Sequence, residues 1–249
     1  MEKVQQLTKV LKRLNSGEDL EKVKAEAKEF LETIDAKDLS IAEQNLMDEG
    51  LSAGDLQRLC SIHLELLKDQ VEKMKSQLPP GHVVSTLVSE HESILCFLDM
   101  LETVNDEIQK MEHYTAGAEE FGKLKHIAEH LMAAELHHQR EEEILFPELE
   151  RKGVQGPPMI MRQEHTQLRE YKQKLKTLAE DAEKPDFNEF KQRLGKIVEF
   201  IVPTLREHIF KENNILYPAA LQVIEDENIW SRLKTECDRI GYCCFTPQQ

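Results

Sequence analysis

Two eleven-residue segments of this chain repeat one pattern without a gap. Residues 137–147 and 208–218 both read His-x-x-x-Glu-x-x-Ile-Leu-aromatic-Pro. A His and a Glu four residues apart lie on one face of an α-helix, about one turn along. The repeat therefore predicts two helices that end alike. Each presents the same pair of side chains, His137 with Glu141 and His208 with Glu212.

Four long stretches with apolar residues at helical spacing follow the Leu-Pro-Pro-Gly sequence at residues 78–81, which stops a helix. Short breaks containing Gly or Pro separate these stretches. Helices of this length with short connections predict an antiparallel up-down four-helix bundle. The four predicted helices cover residues 82–114, 116–151, 157–182 and 186–223.

The segment before the prolines also has a helical pattern, with predicted helices over 18–34, 38–49 and 55–74. The whole chain has only 10 Gly and 9 Pro, with 32% charged and 6% aromatic residues, a composition typical of long helices. We therefore expect an all-α protein in which a smaller helical domain precedes the bundle. The predicted domains are residues 1–78, the bundle at 82–222, and a tail at 223–249 with one helix and an irregular end.

The charge balance restricts the partners. Lys and Arg number 32 against 47 Asp and Glu, a net charge of -15, so nucleic acid phosphates and anionic membrane surfaces are not expected to bind. No stretch approaches the ~20 apolar residues that span a bilayer, and the N-terminus lacks the apolar core of a signal peptide. We expect a cytoplasmic protein whose five scattered cysteines are free thiols. The adjacent Cys243 and Cys244 are interpreted as a tail feature, with a redox or ligand role as the alternative.

The two remaining bundle helices each supply a histidine, His91 in the first and His165 in the third. Imidazole nitrogens with carboxylate oxygens suit iron, manganese or zinc, and a carboxylate can bridge two metal ions. One histidine per helix and the two glutamates therefore predict a di-metal centre with open positions for a small ligand. The predicted ligands are His91, His137, Glu141, His165, His208 and Glu212.

The choice between His137 and its neighbour His138 depends on which pattern is followed. The apolar residues of this helix centre nearer to His138, whereas the repeat selects His137. We follow the repeat and keep His138 as an alternative ligand or as a residue that supports a ligand. A single His-x-x-x-Glu on an acidic helix is usually only a solvated face, and the gapless repeat is what favours metal binding. His126 and His130 are interpreted as surface residues, and His82 as the start of a helix.

Residues 82–222 resemble the hemerythrin-like, cation-binding HHE family. The resemblance rests on the two repeated segments and on the dipeptides Glu90-His91 and Glu164-His165. Residues 7–75 resemble the DUF438 module, a helical domain often found before this bundle. The resemblance implies two iron ions in a non-haem centre that binds or senses oxygen or nitric oxide, or helps to repair iron-sulfur clusters. Manganese or zinc would also suit the ligands.

One position departs from the oxygen-carrying hemerythrins, which have a second histidine one turn after the third-helix ligand. Here that position is Arg169. This difference favours sensing of a gaseous ligand or of redox state over reversible oxygen carriage. A di-iron enzyme or iron donor is the alternative, a structural protein with a vestigial site is a third, and the question of enzymatic activity stays open. The N-terminal helices could form a homodimer or bind a signalling partner.

Overall fold

The computed structural model describes residues 2–15, 78–182 and 186–246, together with residues 18, 22, 23, 26, 42 and 45. Every regular element in these residues is helical, which confirms the predicted all-α class. Among the described helices, none has the length and apolar character needed to cross a membrane. The helices predicted over 18–34, 38–49 and 55–74 lie outside the continuously described residues.

The described elements follow one another in a simple order. Helix α1 spans Glu2–Asn15 and helix α2 spans Val83–Lys110. The second long stretch consists of α3 (Glu119–Ala133), α4 (Glu135–Arg140), a π-helical turn π1 (Glu141–Leu145) and α5 (Phe146–Arg151). The third is α6 (Gly156–Glu180). The fourth consists of α7 (Phe187–Lys211), a π-helical turn π2 (Glu212–Leu216) and α8 (Tyr217–Val223), and α9 (Glu227–Ile240) follows it.

Helix α2 begins where the sequence predicts, because His82 caps it. The backbone N–H of Val84 donates to Nδ1 of His82 at 3.2 Å, which satisfies one of the free N–H groups of the first turn. The connection after α2 is longer than expected, since α2 ends at Lys110 and α3 begins at Glu119. Gly117 lies in this connection with a φ of +79°, a left-handed conformation that favours glycine.

The four long helical stretches share one hydrophobic core. Leu98 of α2, Leu124 of α3, Leu175 of α6 and Leu194 of α7 are all buried in it. Burial of one such side chain contributes roughly 1.5–3 kcal/mol, so the shared core holds these helices together as the predicted bundle. The apolar side chains recur every three or four residues along each helix, as an amphipathic helix requires.

The described chain forms two compact units, and each combines separate segments. One contains residues 1–79, 142–161 and 210–233, where Trp230 Nε1 donates to the carbonyl of Ile224 at 2.8 Å. The other contains residues 80–141, 162–209 and 234–249, and it holds the shared core and the histidines described below. The domain limits predicted at residues 78, 82 and 222 remain predictions.

The two repeated segments share a feature that their sequence pattern did not predict. Each α-helix that carries the His-x-x-x-Glu pair gives way at the glutamate to a five-residue π-helical turn. A proline follows in the first turn of the next α-helix, Pro147 in one case and Pro218 in the other. Proline lacks the N–H of the α-helical ladder, and its ring crowds the carbonyl four residues earlier. The wider turn therefore falls where the ladder is already interrupted, and such turns are frequent at functional sites.

Candidate metal centre

Four buried histidines form two facing pairs. Nε2 of His91 lies 3.1 Å from Nε2 of His137, and Nε2 of His165 lies 2.9 Å from Nε2 of His208. Each pair joins a histidine of one long helical stretch to a histidine of the next. Facing imidazole nitrogens at these distances favour a shared positive charge, either a proton or a metal ion.

A glutamate lies behind one histidine of each pair. Nδ1 of His137 donates to Oε2 of Glu90 at 2.7 Å. In the same way, Nδ1 of His208 donates to Oε2 of Glu164 at 2.8 Å. An ionised carboxylate only accepts, so it holds the ring proton on Nδ1 and leaves the lone pair on Nε2. This is the arrangement by which proteins orient histidine ligands towards a metal.

Glu141 lies between the two histidine pairs. Its Oε2 atom is 3.6 Å from Nε2 of His137 and 3.5 Å from Nε2 of His165. Ligand atoms of Glu141, His165 and His208 all lie within 4.8 Å of one another. A buried carboxylate between two pairs of oriented imidazoles is the donor set of a centre that binds iron, manganese or zinc. The residues present therefore fit a metal.

Glu212 occupies the matching position in the second repeat. It lies one turn after His208, it is the first residue of π2 as Glu141 is the first residue of π1, and it is fully buried. Lys, Glu and Asp are rarely buried fully unless they are paired or bind a metal. Glu141 and Glu212 therefore occupy equivalent positions in their local structure.

Glu90 is held by more than His137. Nη2 of Arg140 donates to Oε1 of Glu90 at 2.6 Å, and the Thr246 hydroxyl donates to the same oxygen. Burial by itself raises the pKa of Glu90, but the contacts with His137, Arg140 and Thr246 outweigh it and lower the pKa to about 2. Glu90 is therefore ionised at neutral pH and can accept the hydrogen bond from Nδ1 of His137.

The C-terminal segment reaches this network. The guanidinium of Arg140 lies over the ring of Tyr242, 4.7 Å from its centroid, and 3.9 Å from Sγ of Cys243. Burial raises the pKa of the Cys243 thiol to about 12. Sequence reasoning predicted an irregular tail here and missed its contacts, because no local pattern connects Thr246 to Glu90, 156 residues earlier.

His138 is buried beside the His165–His208 pair. Its ring stacks on the ring of His165, with 3.9 Å between the centroids and 12° between the planes. Nζ of the buried Lys172 lies 3.5 Å from Nδ1 of His138 and 3.5 Å from Oε2 of Glu135. Burial lowers the pKa of Lys172, an effect that Glu135 partly opposes. Burial and the positive charge of its neighbours lower the pKa of His138 well below its usual value, so its ring is neutral.

The distortion between α3 and α4 accounts for the burial of both neighbouring histidines. At Ala134 the regular α-helix is interrupted, and the N–H of His137 donates to the Ala134 carbonyl three residues earlier. This tighter turn rotates the following residues relative to α3. The helical wheel that favoured His138 assumed an unbroken helix, and in the structure both His137 and His138 point inward.

The structure brings five of the predicted ligands together within one unit. They are His91, His137, Glu141, His165 and His208. Sequence reasoning quoted Glu90 and Glu164 as part of a resemblance but missed what they do. The signal was available, since a Glu-His dipeptide occurs in both the first and the third helix. The rings of His126 and His130 lie near the surface, as predicted, with centroids 4.0 Å apart and planes tilted by 54°, and they take no part in this cluster.

Comparison with known families agrees with this architecture. The model of the hemerythrin HHE cation binding domain matches residues 82–220, and the family of unknown function DUF438 matches residues 7–73. The chain therefore belongs to the hemerythrin HHE cation-binding family. Both resemblances inferred from the sequence are confirmed, and the family together with the His and Glu cluster supports iron binding.

Individual relatives cover a smaller part of the chain. It is 35% identical over 91 residues to the iron-sulfur cluster repair protein YtfE of Yersinia pseudotuberculosis serotype IB (strain PB1/+). The iron-sulfur cluster repair protein YtfE of Yersinia pestis (strain Pestoides F) is also 35% identical to it over 91 residues. The matched part is 34% of this chain and 41% of each relative, so the chain spans less than half the length of these proteins.

Proposed function

We propose that this chain holds two iron ions and senses or responds to oxygen, nitric oxide or redox state. The observation that carries the proposal is the symmetry of the centre. Each Nε2 pair is backed by a carboxylate on Nδ1, through Glu90 in one case and Glu164 in the other. Two equivalent half-sites with one carboxylate between them favour two metal ions over one.

The six residues predicted from the sequence are the proposed ligands. His91 and His137 would hold one ion, and His165 and His208 the other. Glu141 would supply a carboxylate ligand beside both pairs, because its Oε2 lies almost equally far from Nε2 of His137 and Nε2 of His165. Glu212 is proposed as the second carboxylate from its equivalent place in the repeat and its complete burial.

Iron held in this way supplies reversible electron transfer and coordination positions for small ligands. The protein residues orient the imidazoles, keep the Nδ1 protons in place and exclude bulk water from the centre.

Iron content after anaerobic purification tests the proposal directly. We expect two iron ions per chain and a change in the optical spectrum when oxygen or nitric oxide is added. The variant His208→Leu should lose iron, whereas the control His113→Leu, at an exposed position away from the cluster, should retain it. Unchanged iron content in His208→Leu would identify a vestigial site and contradict the proposal. Manganese or zinc in place of iron would preserve the ligand assignment but not the sensing role.

Iron donation during repair of iron-sulfur clusters is the second candidate, and the relatives are the observation that favours it. Proteins named for this repair are 35% identical to this chain over 91 residues. The test is to mix the iron-loaded protein with an apo iron-sulfur protein, sulfide and a thiol reductant, and to follow cluster assembly. Faster assembly than with equivalent free iron supports donation. A spectral response to gas without any iron transfer supports sensing alone.

A further inference from the structure

Residues 243–246, which we call the C-terminal turn, contact Glu90 and Arg140. Gly241 follows the last residue of α9 with a φ of +95°, a left-handed conformation that is typical of the residue after a helix. The N–H of Thr246 donates to the carbonyl of Cys243 at 3.0 Å and closes the turn. The backbone therefore fixes where the Thr246 hydroxyl lies.

Phe245 anchors the C-terminal turn on the bundle. Its ring packs edge-on against the ring of Phe97 in α2, with 5.5 Å between the centroids, and lies 6.4 Å from the ring of His130 in α3. Aromatic pairs at such distances stabilise a contact beyond simple burial. Phe97 is seven residues after Glu90, so the two lie on one face of α2, about two turns apart. The C-terminal turn is therefore packed on the face of α2 that carries Glu90.

The carboxylate of Glu90 accepts hydrogen bonds from two separate parts of the chain. In α4, Nδ1 of His137 donates to Oε2, and Nη2 of Arg140 reaches both oxygens at 2.5 and 2.6 Å. From the C-terminal turn, the Thr246 hydroxyl donates to Oε1. The terminal torsion of a glutamate has only a broad preference of its own, so these donors determine its angle. Because both oxygens belong to one planar group, a donor that fixes Oε1 also fixes the direction in which Oε2 meets His137.

The second half of the proposed centre has a different environment around its carboxylate. Glu164, which accepts from Nδ1 of His208, is 18% exposed, whereas the side chain of Glu90 is fully buried. The hydrogen bond from Thr246 falls on Glu90. Its loss would therefore act on the His91–His137 half, through the orientation of His137.

We propose that Thr246 is a positioning residue for the His91–His137 half of the metal centre. It does not bind the metal, and it acts through Glu90 on His137. The C-terminal turn then controls how firmly this half retains its ion, and the two ions differ in how readily they are lost. Coupling between two sites is reciprocal, so a bound metal should in turn hold the C-terminal turn in place. This inference rests on the proposed di-iron function.

Release of iron from the loaded protein to an excess of a chromophoric chelator, followed by absorption, tests the proposal. Thr246→Val keeps the branched shape but loses a hydrogen bond to a charged group, so we expect a phase of one iron per chain that is about tenfold faster. Thr246→Ser keeps the hydroxyl and should restore slow release. Thr103→Val, which removes an exposed hydroxyl from α2, is the matched control and should release iron as the unsubstituted protein does.

Alkylation by iodoacetamide is a second measurement, and it does not depend on the chelator. Cys243 is buried in the C-terminal turn, whereas its neighbour Cys244 is exposed. Iron loading of the unsubstituted protein should slow the alkylation of Cys243 and leave that of Cys244 unchanged. In Thr246→Val, iron loading should protect Cys243 much less, because the bond that couples the turn to Glu90 is absent.

The outcomes separate this inference from the function on which it rests. If the unsubstituted protein binds two irons but Thr246→Val releases them no faster, the role of Thr246 is overturned and the proposed function stands. Equal acceleration in Thr246→Val and Thr246→Ser would mean that the position matters for packing and not for its hydroxyl, which also overturns the role. If the unsubstituted protein binds no iron, the proposed function itself fails. A fast phase of one iron in Thr246→Val that is absent in Thr246→Ser supports the inference.

Discussion

Nδ1 of His137 lies 2.7 Å from Oε2 of Glu90, the residue immediately before His91. The same helix therefore supplies one proposed ligand and the carboxylate that orients the ligand facing it. Glu164 has the same relationship to His208, next to His165. Two dipeptides of identical sequence thus occupy equivalent positions beside the two histidine pairs.

Glu90→Gln removes the negative charge behind His137 while keeping the shape of the side chain. We expect iron affinity to fall about 10–100-fold, as is typical when a group that orients a metal ligand is changed. Competition with a chromophoric chelator measures this affinity. Glu92→Gln is the matched control, since Glu92 is exposed on the same helix. Equal affinities in the two variants would contradict the role assigned to Glu90.

Arg140→Met should destabilise the metal-free protein strongly. Arg140 and Glu90 form a buried ion pair, with Nη2 only 2.5 Å from Oε2. Removal of one partner leaves the other charge buried, which costs about 3–5 kcal/mol. Urea unfolding followed by circular dichroism gives the free energy of unfolding. Arg193→Met, which breaks an exposed pair with Glu189, should cost at most about 1 kcal/mol. If Arg140→Met lowered the free energy of unfolding by no more than Arg193→Met does, the prediction would be refuted.

The four described cysteines should differ in their reaction with iodoacetamide. Cys96 and Cys244 are exposed, whereas Cys237 and Cys243 are buried, and burial raises their pKa values to about 11 and about 12. A pH of 8 is well below both pKa values, so these two thiols remain almost fully protonated. They should react slowly, because the thiolate is the reactive form. Mass spectrometry of the folded protein should show Cys96 and Cys244 modified first. Early modification of Cys243 would show that the C-terminal segment does not stay packed against Arg140.

Leu98→Ala should destabilise the bundle without changing the ligands. Leu98 is fully buried in the core shared by the four long helical stretches. Removal of a buried leucine side chain leaves a cavity and costs about 2–5 kcal/mol. Thermal and urea unfolding measure the loss, and Met100→Ala at a partly exposed position on the same helix is the control. Full iron loading of the folded Leu98→Ala protein is expected, because the substituted residue lies outside the His and Glu cluster.

Much of the candidate centre could be inferred from the sequence because its main signal is local. A His and a Glu four residues apart share a helix face wherever the helix forms, so the repeat identified His137, Glu141, His208 and Glu212 before any packing was known. The apolar period likewise predicted the long helices. Their number and short connections predicted the bundle, and the family match confirms that fold class.

Other features could not be predicted, because they depend on residues distant in the chain or on departures from ideal helix geometry. The irregular turn at Ala134 buries both His137 and His138, against the expectation for an unbroken helix. The two π-helical turns are a second departure from ideal geometry, and each begins at the glutamate of a repeated segment.

The sequence by itself determined the helical class, the repeated His and Glu pairs and the two further histidines, since all of these follow from helical periodicity. Tertiary structure alone decided which carboxylate orients which imidazole. Glu90 meets His137 across 47 residues, Arg140 across 50 and Thr246 across 156. It also placed Lys172 against His138, 34 residues apart. Such contacts depend on how packed helices are aligned with one another, and the period of a single helix carries no information about that alignment.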